Sequence, residues 1–342
     1  MRYVITGGSG YIGTRLTEHL VRRRETERIV IVDVKPPRFP QAKVEFHRLD
    51  VRDRGAVHTL LEREQPDALV HLAFILNPMR DEATMYDIDV NGTLNVLDAA
   101  AAAGTQQVLV TSSTTAYGAW PDNPPLIDEA FVQRGQPDFA YARDKTEADR
   151  LCRLWAAEHP DRTMTIVRPC IVLGPHVENY IVRAWDTDPF VRLRGVPDQP
   201  VQFVHEDDVA EAITGLLEGG HGGAFNVTGD GTMTWGETAE VAGLKTRTMH
   251  LGLVTKLNGF LWNRGVKSVE SPPGNLNFIR FRWVCSNAKL KSTLGWEPKH
   301  TSRETFEETM RARGKLAPTP APDSITVSPN GHADAESRAA VT

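Results

Sequence analysis

Tyr141 and Lys145 stand four residues apart in the segment YARDK. On a helix that spacing puts both side chains on one face. The pair suits proton transfer beside a carbon that exchanges hydride. A free tyrosine titrates near about pH 10 and is a poor base at neutral pH. A neighbouring ammonium stabilises the phenolate and lowers that value. Lys145 can also hold the ribose next to a nicotinamide. Ser113, just past the apolar run QVLVT, is placed to hydrogen-bond the substrate oxygen. Active sites of parallel sheets lie at such strand ends.

The partner for this chemistry is implied near the N-terminus. Gly7, Gly10 and Gly13 give a Gly-x-x-Gly-x-x-Gly spacing between an apolar strand and a helical pattern. Glycine allows the tight turn and lets backbone approach a pyrophosphate, and the helix amides then face the phosphates. Asp33 closes the second strand, where a carboxylate accepts ribose hydroxyls and repels a 2′-phosphate. This favours NAD over NADP, although Lys35 and Arg38 lie close by. Asp50 and Val51 follow the third strand, where an adenine ring would lie.

Strands alternating with helices must position these groups. Short apolar strands are predicted at 3–6, 28–33, 44–47, 67–72, 107–111 and 163–168. Ile12, Leu16 and Leu20 recur every four residues through a helix at 11–24, and 82–103 reads as one long helix stopped by Gly104. Continuous apolar strands between helices imply an α/β fold, a Rossmann-type doubly wound parallel sheet covered on both faces. Residues 1–170 are expected to form the NAD-binding domain, with 203–228 returning to it as a helix and a strand. Residues 171–312 would form most of a smaller C-terminal α/β substrate-binding portion. Residues 315–342, rich in Pro, Ala, Ser and Asp, are expected to be a disordered tail.

Of 342 residues, 40% are hydrophobic and 24% charged, as in ordinary globular proteins, and the net charge of −5 leaves no footprint for nucleic acid. Cys152, Cys170 and Cys285 have neither metal nor disulfide spacing, which fits a reducing cytoplasm. The first strand begins almost at Met1, so no secretory signal is expected, and no apolar run is long enough for a transmembrane helix. His71, in a buried strand, and His205, opening a helix, read as structural hydrogen-bonding groups, and no metal site is expected.

The chain resembles an extended short-chain dehydrogenase/reductase of the NAD-dependent epimerase/dehydratase group. The resemblance spans roughly residues 1 to 312 and rests on TGGSGYIG (6–13), LDV (49–51), HLAF (71–74), DVNGTLNVLDAA (89–100), VTSSTTAYG (110–118), YARDK (141–145), RPCIVLGP (168–175), FVHEDDVAEAI (203–213) and LGWEP (294–298). It implies Ser113, Tyr141 and Lys145 as catalytic residues. It implies cofactor contacts at Tyr11, Ile12, Leu72, Ala73, Phe74 and Asn91, and homodimers are frequent in the group.

Three polar groups that nucleotide-sugar members use are absent. Ile171 stands where they have Asn, Pro200-Val201-Gln202 precedes Phe203 where they have Arg, and Pro272-Pro-Gly-Asn275 replaces their Arg-x-Gly-Asp. A buried diphosphate without cationic partners is costly. Arg183, Arg192, Arg194, Arg280 and Arg282 are the cations left to replace them. Val196, Val201, Phe203, Leu253, Leu257, Phe260, Trp262 and Phe278 are candidates to line an apolar pocket or to pack. The segment 251–262 reads first as a packed helix, then as a lid, and last as a membrane-surface attachment. The leading expectation is therefore an NAD-dependent oxidoreductase acting on a fairly apolar, non-nucleotide secondary alcohol or ketone, with 3β-hydroxysteroid-dehydrogenase-like chemistry. The alternative is a UDP-hexose 4-epimerase. Thr114 and Thr115 after Ser113 argue against the acidic pattern of dehydratases. A non-catalytic NAD sensor is the remaining reading.

Overall fold

The computed structural model describes residues 1–317, so most of the tail expected from residue 315 lies outside the described residues. The first half supplies strands β1 (Arg2–Thr6), β2 (Arg28–Asp33), β3 (Val44–Arg48), β4 (Ala68–His71), β5 (Gln107–Thr111) and β6 (Thr163–Pro169). Between them run helices α1 (Tyr11–Val21), α2 (Arg54–Glu64), α3 (Glu82–Tyr86), α4 (Gly92–Ala102) and α5 (Ala140–Glu158). Alternate side chains of each strand feed opposite layers. Tyr3 and Ile5 join Ile29, Ile31 and Val70 in a core under α1, whereas Val4 joins Val30, Leu69 and Val108 under α2, α4 and α5. That double burial explains why the strands are apolar at nearly every position.

Strand β6 is not the edge of the sheet. The chain leaves it for β7 (Ile171–Leu173), α6 (Tyr180–Arg183), β8 (Phe190–Arg194), β9 (Pro200–Val201) and β10 (Phe203–His205). It returns through α7 (Glu206–Glu218), which packs beside α1, to β11 (Gly223–Val227). β11 pairs in parallel with β6, giving a seven-stranded sheet in the order β11-β6-β5-β4-β1-β2-β3. The order reverses between β1 and β4, the point where such sheets open a crevice. A buried relay ties the seam: Arg168 grips Asp149 through two hydrogen bonds of 2.8 and 2.9 Å and donates to Tyr117, which donates to Asn226 of β11.

The remaining elements are β12 (Met233–Thr234), α8 (Trp235–Val241), β13 (Thr246–His250), α9 (Leu251–Asn263), α10 (Asn277–Arg280), α11 (Ala288–Leu294) and α12 (Ser302–Ala312). Three two-stranded pairings, β7 with β10, β9 with β12 and β8 with β13, frame an aromatic core. In it Phe306 meets Trp185 at 5.0 Å and Phe203 at 5.3 Å. Helices α8 and α12 both begin with reciprocal Thr–Glu capping boxes, Thr234 with Glu237 and Thr301 with Glu304.

The expected helix over 82–103 runs without a break from Glu82 to Ala102 but carries a π turn. Residues Asp87–Asn91 form a wide π turn, and Gly104 follows the end with φ 73°. The extra residue of such a turn accompanies the inward placement of Asp89, which is fully buried and accepts the Ile75 amide at 2.7 Å.

Candidate active site

The C-terminal ends of β1, β4, β5 and β6 open into a cavity of about 730 Å³. Its wall includes Gly7, Gly10, Tyr11, Ile12, Gly13, Leu72, Phe74, Ser113, Tyr141 and Lys145, so the glycine turn and the three candidate catalytic residues share one space. Gly7 has φ 69°, and a Cβ on it would lie 2.5 Å from the Ala73 nitrogen. A Cβ on Gly13 would lie 2.6 Å from Gly8 Cα. These two glycines close the turn against β4 and against α1, while Gly10 opens α1 with extended backbone on the cavity side. The resulting cradle of helix-start amides fits a dinucleotide pyrophosphate. Asp33 stands behind the turn, its carboxylate accepting the amides of Ser9 at 3.1 Å and Lys35 at 3.2 Å.

Tyr141 and Lys145 project from the first turns of α5. The Tyr141 ring meets Phe74 edge-on at 5.8 Å and Phe139 at 5.9 Å. Burial pushes its phenol well above the usual range, and the nearby Ser113 hydroxyl opposes that rise. The Lys145 ammonium donates to the Thr111 carbonyl at 2.6 Å and lies 3.5 Å from the Phe74 ring centroid. It is 5.9 Å from the centroid of Tyr141. Burial lowers the Lys145 pKa and raises that of Asp89, the carboxyl that opposes it across the same apolar region. The lysine is thus held by backbone and ring.

Asp50, Val51 and Asn91 lie outside the wall of this cavity. Asp50 is engaged by the Arg52 guanidinium, with a closest approach of 2.7 Å. Asn91 is exposed and donates to Asp87 at 2.8 Å. Val51 is 5% exposed, packed against Gly92. Tyr11 lines the cavity, but its hydroxyl is committed to Glu206, which also holds His176.

The far half of the cavity is formed by Tyr180, Phe190, Trp235, Leu276, Phe278 and Trp283 among others. Of the eight apolar residues offered for it by the sequence, Phe278 alone lines it. Val201 and Phe203 are core residues, Trp262 is buried beneath the Arg80 guanidinium, Val196 is half-buried outside the wall, and Leu253, Leu257 and Phe260 are exposed. Among the described residues Arg183 is the one guanidinium in the wall, and Glu270 holds it with both oxygens at 2.9 Å. Arg192 is paired with Asp198, and Arg280 lies over Phe281. Tyr180, Trp235, Asn258, Glu270 and Trp283 carried no signal, because their segments are far apart in the chain.

The two histidines have structural partners. His71 lies between Thr6 at 2.6 Å and Thr93 at 3.0 Å, and Thr93 spends its own proton on the Asp89 carbonyl. The neutral ring must therefore donate from Nε2 and accept at Nδ1. Burial lowers His71 to about 3. His205 caps α7 by accepting the Asp207 amide on Nδ1 at 3.2 Å, which leaves its proton on Nε2, 3.4 Å from Glu308. His300 stacks on it at 4.0 Å and meets Asp208 at 3.3 Å. His205, His300 and Glu308 bring donor atoms within 4.8 Å, a grouping that sequence spacing hid. A protonated Nε2 and stacked rings make it a proton-bearing junction, since a metal needs lone pairs converging in the ring planes.

The profile of the NAD dependent epimerase/dehydratase family matches residues 3–228. The chain belongs to this family. An uncharacterized protein of Mycobacterium tuberculosis (strain ATCC 25618 / H37Rv) is 23% identical over 324 residues, 91% of this chain and 84% of its own. UDP-glucuronic acid decarboxylase 2 of Arabidopsis thaliana is 26% identical over 339 residues, covering 89% of this chain and 66% of that protein. UDP-glucose 4-epimerase 2 of Oryza sativa subsp. japonica is 26% identical over 219 residues, 59% of this chain and 50% of the enzyme. Among solved structures, the UDP-glucose 4-epimerase of Thermus thermophilus in complex with NAD has a TM-score of 0.72 at 22% identity, covering 92% of this chain and all of that one. The dTDP-glucose 4,6-dehydratase of Streptomyces venezuelae, with NAD bound, also has a TM-score of 0.72, at 20% identity, with 92% and 97% covered. At these identities the structural likeness establishes the fold, and the family is NAD-dependent. Among the described residues of this family member, no helix is long and apolar enough to cross a membrane.

Proposed function

We propose that this family member catalyses NAD-dependent hydride transfer at a secondary alcohol carbon. The observation that carries the reading is the convergence of Ser113, Tyr141 and Lys145 with the glycine turn in one cavity. Bound NAD supplies the hydride acceptor and donor. Ser113 orients the substrate oxygen, and Tyr141 takes or returns its proton. Lys145, one helix turn from Tyr141, favours the phenolate when protonated and would hold the ribose next to the nicotinamide. Gly7, Gly10, Gly13 and the start of α1 hold the pyrophosphate, and Asp33 selects NAD through the ribose hydroxyls.

For the substrate, the named relatives favour a nucleotide sugar, and UDP-hexose 4-epimerisation stands first. The wall of the cavity favours a second reading. Its guanidinium, Arg183, is already neutralised by Glu270, and Tyr180, Phe190, Trp235, Phe278 and Trp283 line it beside neutral polar groups, which suits a fairly apolar alcohol. Calorimetric titration of UDP and UDP-hexoses into protein saturated with NAD separates the two. Binding tighter than roughly 100 µM, about 5.5 kcal/mol, supports the nucleotide sugar, and no binding directs the search to apolar alcohols and ketones. On whichever substrate turns over, Tyr141→Phe is expected to lower kcat by about 10² to 10⁴. Unchanged turnover would overturn the assignment of Tyr141.

A further inference from the structure

Helix α9 wears its apolar side outward. Leu253, Leu257 and Phe260 are 56%, 46% and 55% exposed, and their spacing puts them on one stripe. Lys256 and Arg264 fall on the same stripe, and the Arg264 guanidinium lies 4.7 Å from the Phe260 ring centroid. The opposite side of the helix is anchored. Trp262 packs under Arg80, whose Nε donates to the Trp262 carbonyl at 2.7 Å, and Asn258 lines the catalytic cavity.

The charge around this stripe opposes the charge of the chain. From residue 241 to 269 there is no Asp or Glu, and Lys245, Arg247, Lys256, Arg264 and Lys267 are all exposed. Among the described residues none of these five has a carboxylate partner, while nearby Arg183 and Arg192 are paired with Glu270 and Asp198. The whole chain carries −5.

We propose that α9 is a docking surface for an anionic phospholipid membrane, its leucines and phenylalanine entering the headgroup boundary while Lys256 and Arg264 on the same stripe meet lipid phosphates. An outward apolar stripe flanked by Lys and Arg, with no acidic residue, is the pattern that interfacial helices use. A second copy of this chain is a poor occupant. A two-fold contact would set the same unpaired cations against each other. Docking brings lipid within a helix diameter of the cavity, on the order of 10 Å. The surface is separate from the catalytic trio, so this inference holds for either substrate.

The test is co-sedimentation of the full chain with phosphatidylcholine vesicles, with and without about 30% phosphatidylglycerol. Expected is binding that needs the anionic lipid and falls as salt rises. The pairs Leu257→Glu with Phe260→Glu, and Lys256→Glu with Arg264→Glu, are each expected to lower partitioning by about tenfold or more while NAD affinity and Tm stay as in the wild type. No binding, equal binding to both vesicles, or a solution dimer that either variant pair dissociates would overturn the proposal.

Discussion

Replacing Gly10 by alanine is expected to weaken NAD binding with little effect on the fold, whereas the same change at Gly7 or Gly13 damages the fold itself. Gly10 has φ −74°, and a new Cβ would meet the Gly7 carbonyl at 3.1 Å. That contact is tight but tolerable, so stability stays within about 1 kcal/mol of the wild type. The methyl group would stand where the pyrophosphate must approach, raising the NAD Kd by at least about tenfold, or about 1.4 kcal/mol. At Gly7 a Cβ would meet the Ala73 nitrogen at 2.5 Å and the Leu72 carbonyl carbon at 2.7 Å. Both are backbone atoms, with no flexible side chain to swing away. Left-handed geometry costs about 1–2 kcal/mol and overpacking about 1–3, so Gly7→Ala is expected to lose about 2–5 kcal/mol. Gly13 bears only the overpacking, about 1–3 kcal/mol, from Gly8 Cα at 2.6 Å. Urea unfolding and NAD calorimetry on the three variants give the ranking directly. The reasoning fails if Gly10→Ala is as unstable as Gly7→Ala, or if it binds NAD as the wild type does.

Further outcomes follow from other side chains. Asp33→Ser is expected to shift cofactor preference toward NADP by about tenfold or more, read as the ratio of the two Kd values; an unchanged ratio would remove Asp33 from the ribose site. Asp149→Ala strands the Arg168 guanidinium, 1% exposed, and is expected to cost about 3–5 kcal/mol in urea unfolding, partly restored by adding Arg168→Met. A loss below about 1 kcal/mol would contradict the buried-pair account. His71 titrates near 3 in the fold, below the ordinary value of 6.5. The unfolded chain therefore binds the extra proton, so this contribution to stability is complete above about pH 6.5 and is lost as the pH falls toward 3. Unfolding measured from pH 6.5 to 4.5 is expected to show about 2 kcal/mol of loss that His71→Gln lacks. Equal slopes in the two proteins would refute the buried neutral ring.

The sequence exposed what depends on nearest neighbours. Tyr141 and Lys145 were legible because one helix turn sets their relation, and the glycine turn because strand and helix flank it within a dozen residues. A motif does not record local partners such as Arg52 for Asp50 and Asp87 for Asn91. The pairing of Arg183 with Glu270 joins residues 87 apart and had no sequence signature. Periodicity identified α9 but could not say which side faces inward. Apolar spacing pointed to Leu253, Leu257 and Phe260 as wall or packing residues, and anchoring through Trp262 and Asn258 turned them to solvent. His205, His300 and Glu308 met only through the approach of α12 to the start of α7.

The strand that covers β6 has a consequence for synthesis. β11 is made roughly fifty residues after β6, the neighbour it must pair with. A ribosome adding about 5–20 residues per second leaves β6 with a bare hydrogen-bonding edge for roughly 3–10 s. During that interval the nascent sheet offers a template to any other extended chain nearby. A translational pause anywhere between β6 and β11 lengthens the exposure.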